Sequence, residues 1–210
     1  MDTFDPEISQ RLCLEFPYLL NSRQAKKSKR EAVEAELIKL SEGFGYYLTD
    51  DVAVRIQLLI NEERRYESDE SPDIDNVLKP ALDCLSGVNR ILIDDNQVQF
   101  ISCQWIDTLG PEKCLIEIEL PSGSAIKKSD IVFIHLGNQR YLPLGAKGWP
   151  KSAHNILGEH LQRLIRNRDL LEKEGFQYHH IKPLMPIQRV FHRTRISGFE
   201  MMEIEDLLKL

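Results

Sequence analysis

No stretch of the 210-residue chain approaches the roughly 18 to 20 consecutive apolar residues that a bilayer span requires. The longest apolar stretches, 52–60 and 130–136, are broken by polar residues, which excludes a membrane-spanning helix. Cysteine is sparse. Cys13, Cys84, Cys103 and Cys114 form no C-x-x-C pair, so the sequence supports neither a disulfide framework nor a zinc site, and the thiols read as small core residues. The chain opens on Asp2, Asp5 and Glu7, the reverse of the basic-then-apolar order of a secretory signal, and a cytoplasmic location is expected. Positive charge is also short: 27 Lys and Arg stand against 33 Asp and Glu, a net of −6, which taken alone argues against a phosphate-rich partner.

The deficit is unevenly spread. Residues 1–125 hold 13 Lys and Arg against 24 Asp and Glu, a net of −11, whereas residues 126–210 hold 14 against 9, a net of +5, together with all six histidines. The change falls at Pro121-Ser122-Gly123-Ser124, a turn-rich stretch that suits a linker. We therefore expect one domain over 8–121 and a basic C-terminal extension over 126–210, whose role the residues do not reveal. At 42% hydrophobic and 29% charged the composition is that of a globular protein.

Within the first segment, Leu12, Leu14 and Phe16 alternate as in a half-buried strand. Ser28 and Glu31 have capping-box spacing ahead of the stripe Ala32, Val33, Ala35, Leu37, Ile38, Leu40, which predicts a helix ending at Gly43 and Gly45. Val52, Val54, Ile56, Leu58 and Ile60 predict a second strand, 62–71 a polar loop, and Asp75 or Asn76 the start of a second helix with Pro80 in its first turns. Strand material follows at 91–93, 97–106 and 114–120. That order predicts an α+β fold with α/β-type layers, a mixed β-sheet packed by helices. In the second segment, 131–136 reads as a strand, 154–173 as a helix, and Ser197 with Glu200 as a capping box before a terminal helix at 201–208.

The chemistry is concentrated in Asp73-Ile74-Asp75-Asn76-Val77-Leu78-Lys79 and Ile93-Asp94-Asp95-Asn96-Gln97-Val98. Two carboxylates one residue apart point to the same side of an extended segment and can approach one cation together. A second acidic pair, returned by a helix, can complete a hard-oxygen site; four carboxylates gathered without a cation would repel one another. Lys79, one helical turn after Asp75, can contact a phosphate or offset transition-state charge. The same residues also fit a helix cap and a simple turn. Arg23, Lys26, Lys27, Lys29 and Arg30 form a basic cluster at the start of the first helix, suited to phosphate contact or to a solvated face. Arg163, Arg166 and Arg168 on the polar side of the later helix, with Arg189, Arg193 and Arg195, suit an extension of such a path, an ordinary helix surface, or a face toward the acidic segment of the same chain.

These two motifs resemble the RusA family of Holliday-junction resolvases, whose pattern joins Asp-x-Asp-Asn-x-x-Lys, a helix with Asp-x-Leu (here Asp83-Cys84-Leu85), and apolar-Asp-Asp-x-Gln-apolar. The close match covers about 26 residues, Asp73 to Val98. The resemblance implies a Mg²⁺-dependent endonuclease, with Mn²⁺ as a substitute, that acts as a homodimer and places paired nicks in branched DNA during recombination and repair. It implies Asp73, Asp75 and Asp95 as metal-site carboxylates with Asp94 adjacent, and Lys79 as the base-type residue near the scissile phosphate; Asn76 and Gln97, polar residues of the same motifs, are candidate nucleic-acid contacts. A same-fold nuclease for another branched DNA or RNA, and a non-catalytic DNA-binding protein, are the alternatives. The Pro-Pro-Ser-x-Asn type turn with which family members begin is retained only in part at Phe16-Pro17-Tyr18-Leu19-Leu20-Asn21-Ser22-Arg23, and 126–210 lies outside the compact family domain.

Overall fold

The structure, a computed structural model, describes residues 9–17, 27–67, 73–185 and 189–209. It divides into two compact units, Met1–Ala125 and Ile126–Leu210. The first unit runs β1 (Arg11–Phe16), α1 (Lys27–Glu42), β2 (Tyr46–Leu48), β3 (Val52–Asn61), α2 (Glu62–Glu67), α3 (Ile74–Leu85), β4 (Val98–Thr108) and β5 (Lys113–Glu119). The fold is α+β, with mixed sheets packed by helices.

Strand β3 is the centre of the main sheet, whose order is β1-β5-β3-β4. It pairs antiparallel with β5 and parallel with β4, and β5 pairs antiparallel with β1. Consecutive strands β4 and β5 thus flank β3 instead of forming a hairpin. Alternation explains the layering: Val52, Val54, Ile56, Leu58 and Ile60 of β3, and Cys114, Ile116 and Ile118 of β5, are all buried. Leu37 of α1 and Val77, Ala81 and Leu85 of α3 join the same core. The opposite face carries ion pairs instead: Arg11 and Arg55 both reach Glu117 and Glu119, at 3.3–3.8 Å.

Several expectations are corrected. The stretch 62–71 is a helix over its first six residues, α2, because Arg64 bonds Glu112 and Arg65 bonds Asp107 across the sheet end, contacts that no local pattern displays. Ser28 lies inside α1 and not at its cap. Within 91–93 only Leu92 pairs, in isolated bridges to Leu48 and Ser86, although all three residues are buried. Pro80, by contrast, lies where expected, in the second turn of α3.

The second unit begins within the short strand β6 (Ala125–Lys127) and continues β7 (Val132–His135), β8 (Arg140–Leu144), α4 (Lys151–Lys173), α5 (Tyr178–Ile181), β9 (Phe191–His192), β10 (Met201–Met202) and α6 (Ile204–Leu207). Its sheet has the order β10-β7-β8-β9. The terminal helix expected at 201–208 is replaced by strand β10 and a helix whose cap is Glu203, since Met201 and Met202 pair with Phe133 and Ile134. Arg168 is not on the polar side of α4: it is 2% exposed, donates to Leu136 O and to the Asp169 carboxylate, and packs its guanidinium against Gly137. A Cβ at Gly137, whose φ is +78°, would meet Arg168 Nη2 at 2.7 Å. No helix among the described residues is long and apolar enough to cross a membrane.

All four cysteines are free thiols; Cys84 and Cys114 are buried, Cys103 is half-buried, and Cys13, expected in the core, is exposed on the open face of β1. Burial pushes the Cys84 and Cys103 thiols up to about 11 and Cys114 to about 12, so their nucleophilic thiolate is scarce near neutrality. Iodoacetamide at pH 8 should therefore add once, rapidly, at Cys13 in the folded protein, with the other three reacting only in denaturant. Rapid uptake of two or more equivalents by intact mass would contradict this burial.

Candidate active site

Helix α3 begins with Asp73 as its N-cap residue, in extended conformation, and Asp73 O accepts from Asn76 N at 3.1 Å. Asp75 follows in the first turn, exposed. Because 75, 79 and 83 are four apart, Asp75, Lys79 and Asp83 lie along one line of the helix. The loop after α3 folds back through Gly87, at φ +115°, where Ile91 N and Leu92 N both donate to Leu85 O. It delivers Asp94 and the short helix η1 (Asp95–Gln97) beside that line. Lys79 Nζ then bridges the two: it donates to Asp83 Oδ1 at 2.6 Å and to Asp95 Oδ2 at 2.8 Å.

Those two carboxylates, Asp83 first and Asp95 second, hold the Lys79 ammonium charged and raise its pKa from the ordinary lysine value. Lys79 is accordingly held as a cation between the two carboxylates. As partly exposed pairs the two bridges contribute little to stability, on the order of 0–1 kcal/mol each, so their consequence is positional.

Gln97 departs from the expected contact with nucleic acid. It is fully buried, its Oε1 accepts from Ile93 N at 2.8 Å and Asp94 N at 3.1 Å, and its Nε2 donates to Leu48 O and Asp50 O, each at 2.9 Å. Both donors and both acceptor positions of the amide are used, leaving none for a ligand. Asp94 is likewise committed to its own turn: its side chain accepts from Asn96 N at 3.0 Å, and with Gln97 it completes a capping box. The spacing Asp-x-x-Gln at 94–97 was the sequence signal for this role.

Among the described residues no three His, Cys, Asp or Glu side chains are gathered as metal ligands would be. The donor chemistry of Asp73, Asp75 and Asp95, carboxylate oxygen throughout, suits a hard divalent cation. What stands in that place beside Asp95 is the ammonium of Lys79. Asn76 is half-buried in the first turn of α3. Arg23 and Lys26, and the side chains of Lys29 and Arg30, lie outside what the structure describes; Lys27 is exposed and pairs with Glu31 at 3.7 Å.

The family model described as Endodeoxyribonuclease RusA matches residues 19–120, just under half of the chain. Over those residues the chain is similar to the RusA family. The RusA match takes in every site residue discussed above and ends where the first unit does, within a few residues. That family is one of endodeoxyribonucleases that act on branched DNA and generally use a divalent metal. No curated protein matches the chain. Sequence reasoning missed Asp83 as the second partner of Lys79, although its i, i+4 spacing from Lys79 within the RusA motif pointed to it.

Replacing Gln97 by Leu would strand two backbone N–H groups and two carbonyls around the acidic turn. Each buried unsatisfied group costs about 1–3 kcal/mol, and partial relaxation should bring the total loss to roughly 2–4 kcal/mol. Urea denaturation checks this; an unchanged midpoint would show that the amide does not hold the turn.

Proposed function

We propose that the chain is a Mg²⁺-dependent endodeoxyribonuclease that resolves four-way DNA junctions by paired nicks, with Mn²⁺ able to substitute. The observation that carries the reading is the Lys79 ammonium held at hydrogen-bond distance from Asp95, on the same helix line as Asp75, inside the residues of the RusA match. A bound divalent cation supplies polarisation of the phosphoryl oxygen and an acidified water for in-line attack. Asp73, Asp75 and Asp95 would hold it. Asp94 caps the turn that presents Asp95, and Gln97 fixes that turn to the carbonyls of Leu48 and Asp50. Lys79, kept protonated, faces the negative charge that grows on the phosphoryl group. Asn76 and the cluster Arg23, Lys26, Lys27, Lys29 and Arg30 would position the phosphate backbone.

Two strands must be cut, so one site per protomer of a two-fold dimer supplies both nicks. The edge strand β4 favours a second copy: from Val98 to Ile106 it has no charged residue and no proline, the devices that usually guard an edge, and Phe100 is 54% exposed.

Asp75→Asn should abolish Mg²⁺-dependent nicking of a four-way junction while preserving DNA binding, because it removes a metal ligand and some repulsion from phosphate. Mixed with wild-type protein, it should give predominantly single nicks. Loss of binding in parallel with cleavage, in a folded variant, would instead mark Asp75 as a DNA contact, and undiminished paired nicking in mixtures would exclude the dimer.

For the second unit we propose phosphate contact through exposed cations of α4. Arg163→Ala with Arg166→Ala should weaken binding and flatten the plot of log K against log salt by about 0.9 for each charge that meets duplex phosphate. An unchanged slope would remove these residues from the DNA path.

A further inference from the structure

The two partners of Lys79 differ in kind. Asp83 is one turn along the same helix, so its distance from Lys79 is set by the backbone of α3. Asp95 arrives on a separate element, η1, and is one of the carboxylates that the proposed function gives to a metal. A carboxylate lone pair that accepts from an ammonium is not available to a divalent cation, and two cations on one carboxylate repel. The 2.8 Å contact between Lys79 Nζ and Asp95 Oδ2 therefore engages one of the two oxygens that Asp95 could offer a metal. Losing that contact would free the lysine to swing into solvent were it not for the second carboxylate at 2.6 Å.

We propose that Lys79 competes with the divalent metal for Asp95, and that Asp83 is a positioning residue that retains the Lys79 ammonium at the site once the metal has taken Asp95. The inference rests on the metal-dependent reading above. It gives Lys79 two states. Without metal it neutralises Asp95, on a turn that Gln97 holds in place; with metal it is held by Asp83 alone, one turn from Asp75, where its charge remains beside the phosphate. A short rotation of the terminal torsions connects the two states, because Nζ already touches both acceptors.

The test is Mn²⁺ binding to the full chain without DNA, read from the electron paramagnetic resonance signal of the free ion, with circular dichroism to confirm that each variant is folded. Removing an exposed ion-pair competitor should tighten binding by about fivefold in Lys79→Met relative to wild type. Asp83→Asn should weaken binding by about twofold to fivefold, because the undivided ammonium then stays on Asp95, and Asp83→Glu should restore it. In the Lys79→Met background, Asp83→Asn should change the affinity by less than about twofold, since a residue that acts through Lys79 has nothing left to act on. Equal affinity in wild type and Lys79→Met would overturn the competition, and an undiminished Asp83→Asn effect in the Lys79→Met background would show that Asp83 acts on the metal directly. Either result leaves the metal-dependent reading standing. Absence of binding in wild type and Lys79→Met alike would remove that reading and this inference together.

Discussion

The buried amide of Gln97 is the constraint from which the geometry of the site follows. One side chain satisfies two amide protons of the acidic turn and two carbonyls at the connection from β2 to β3. A water molecule could satisfy the same groups only in a hydrated cavity, and this position is fully buried. The turn is thereby tied to the central strand of the sheet, while α3 is tied to the same sheet through Val77, Ala81 and Leu85. Asp95 and Lys79 meet because both of their supports are anchored to one core, not because they attract each other strongly. An exposed ion pair could not by itself define their separation.

That arrangement also answers the charge conflict created by bringing acidic residues together. Carboxylates that approach without a counter-ion raise one another's proton affinity or move apart. Here Asp94 is drawn into capping its turn, and Asp95 shares the Lys79 ammonium with Asp83. A metal-loaded site would replace part of this internal compensation with a divalent ion, so the protein's own cation and the external one are alternatives at the same oxygen.

Legibility in the sequence follows the range of the interactions. Strands β3 and β5 can be read because burial of one face imposes strict alternation on Val52–Ile60 and Cys114–Ile118. The motif residues could be located for the same reason, since spacing along one helix is a local property. Helix α2 could not, because Arg64–Glu112 and Arg65–Asp107 bring in partners more than forty positions away. Nor could the order β1-β5-β3-β4, in which the chain from β4 to β5 passes over the end of β3. The amide of Gln97 looked like a ligand contact because polarity at a motif is visible in sequence and burial is not. Arg168 misled in the same way: its helical phase suggested a solvated face, but the carbonyl of Leu136 and the missing Cβ of Gly137 draw it inside.

The opposed charges of the two segments take on meaning once the ion pairs are known. In the first unit Arg11, Arg55, Arg64, Arg65, Lys79, Arg90 and Lys113 are all engaged with carboxylates of that unit. Cations so engaged can turn to a phosphate only by giving up a partner, which lowers the gain from counterion release. In the second unit Arg163, Arg166 and Arg193 are exposed and enter no ion pair among the described residues. Among the described residues of the first unit, most basic side chains are thus held by its own acidic surface. Among the described residues, the exposed arginines of the second unit are uncommitted positive charge, which is the ground for the phosphate contact proposed there.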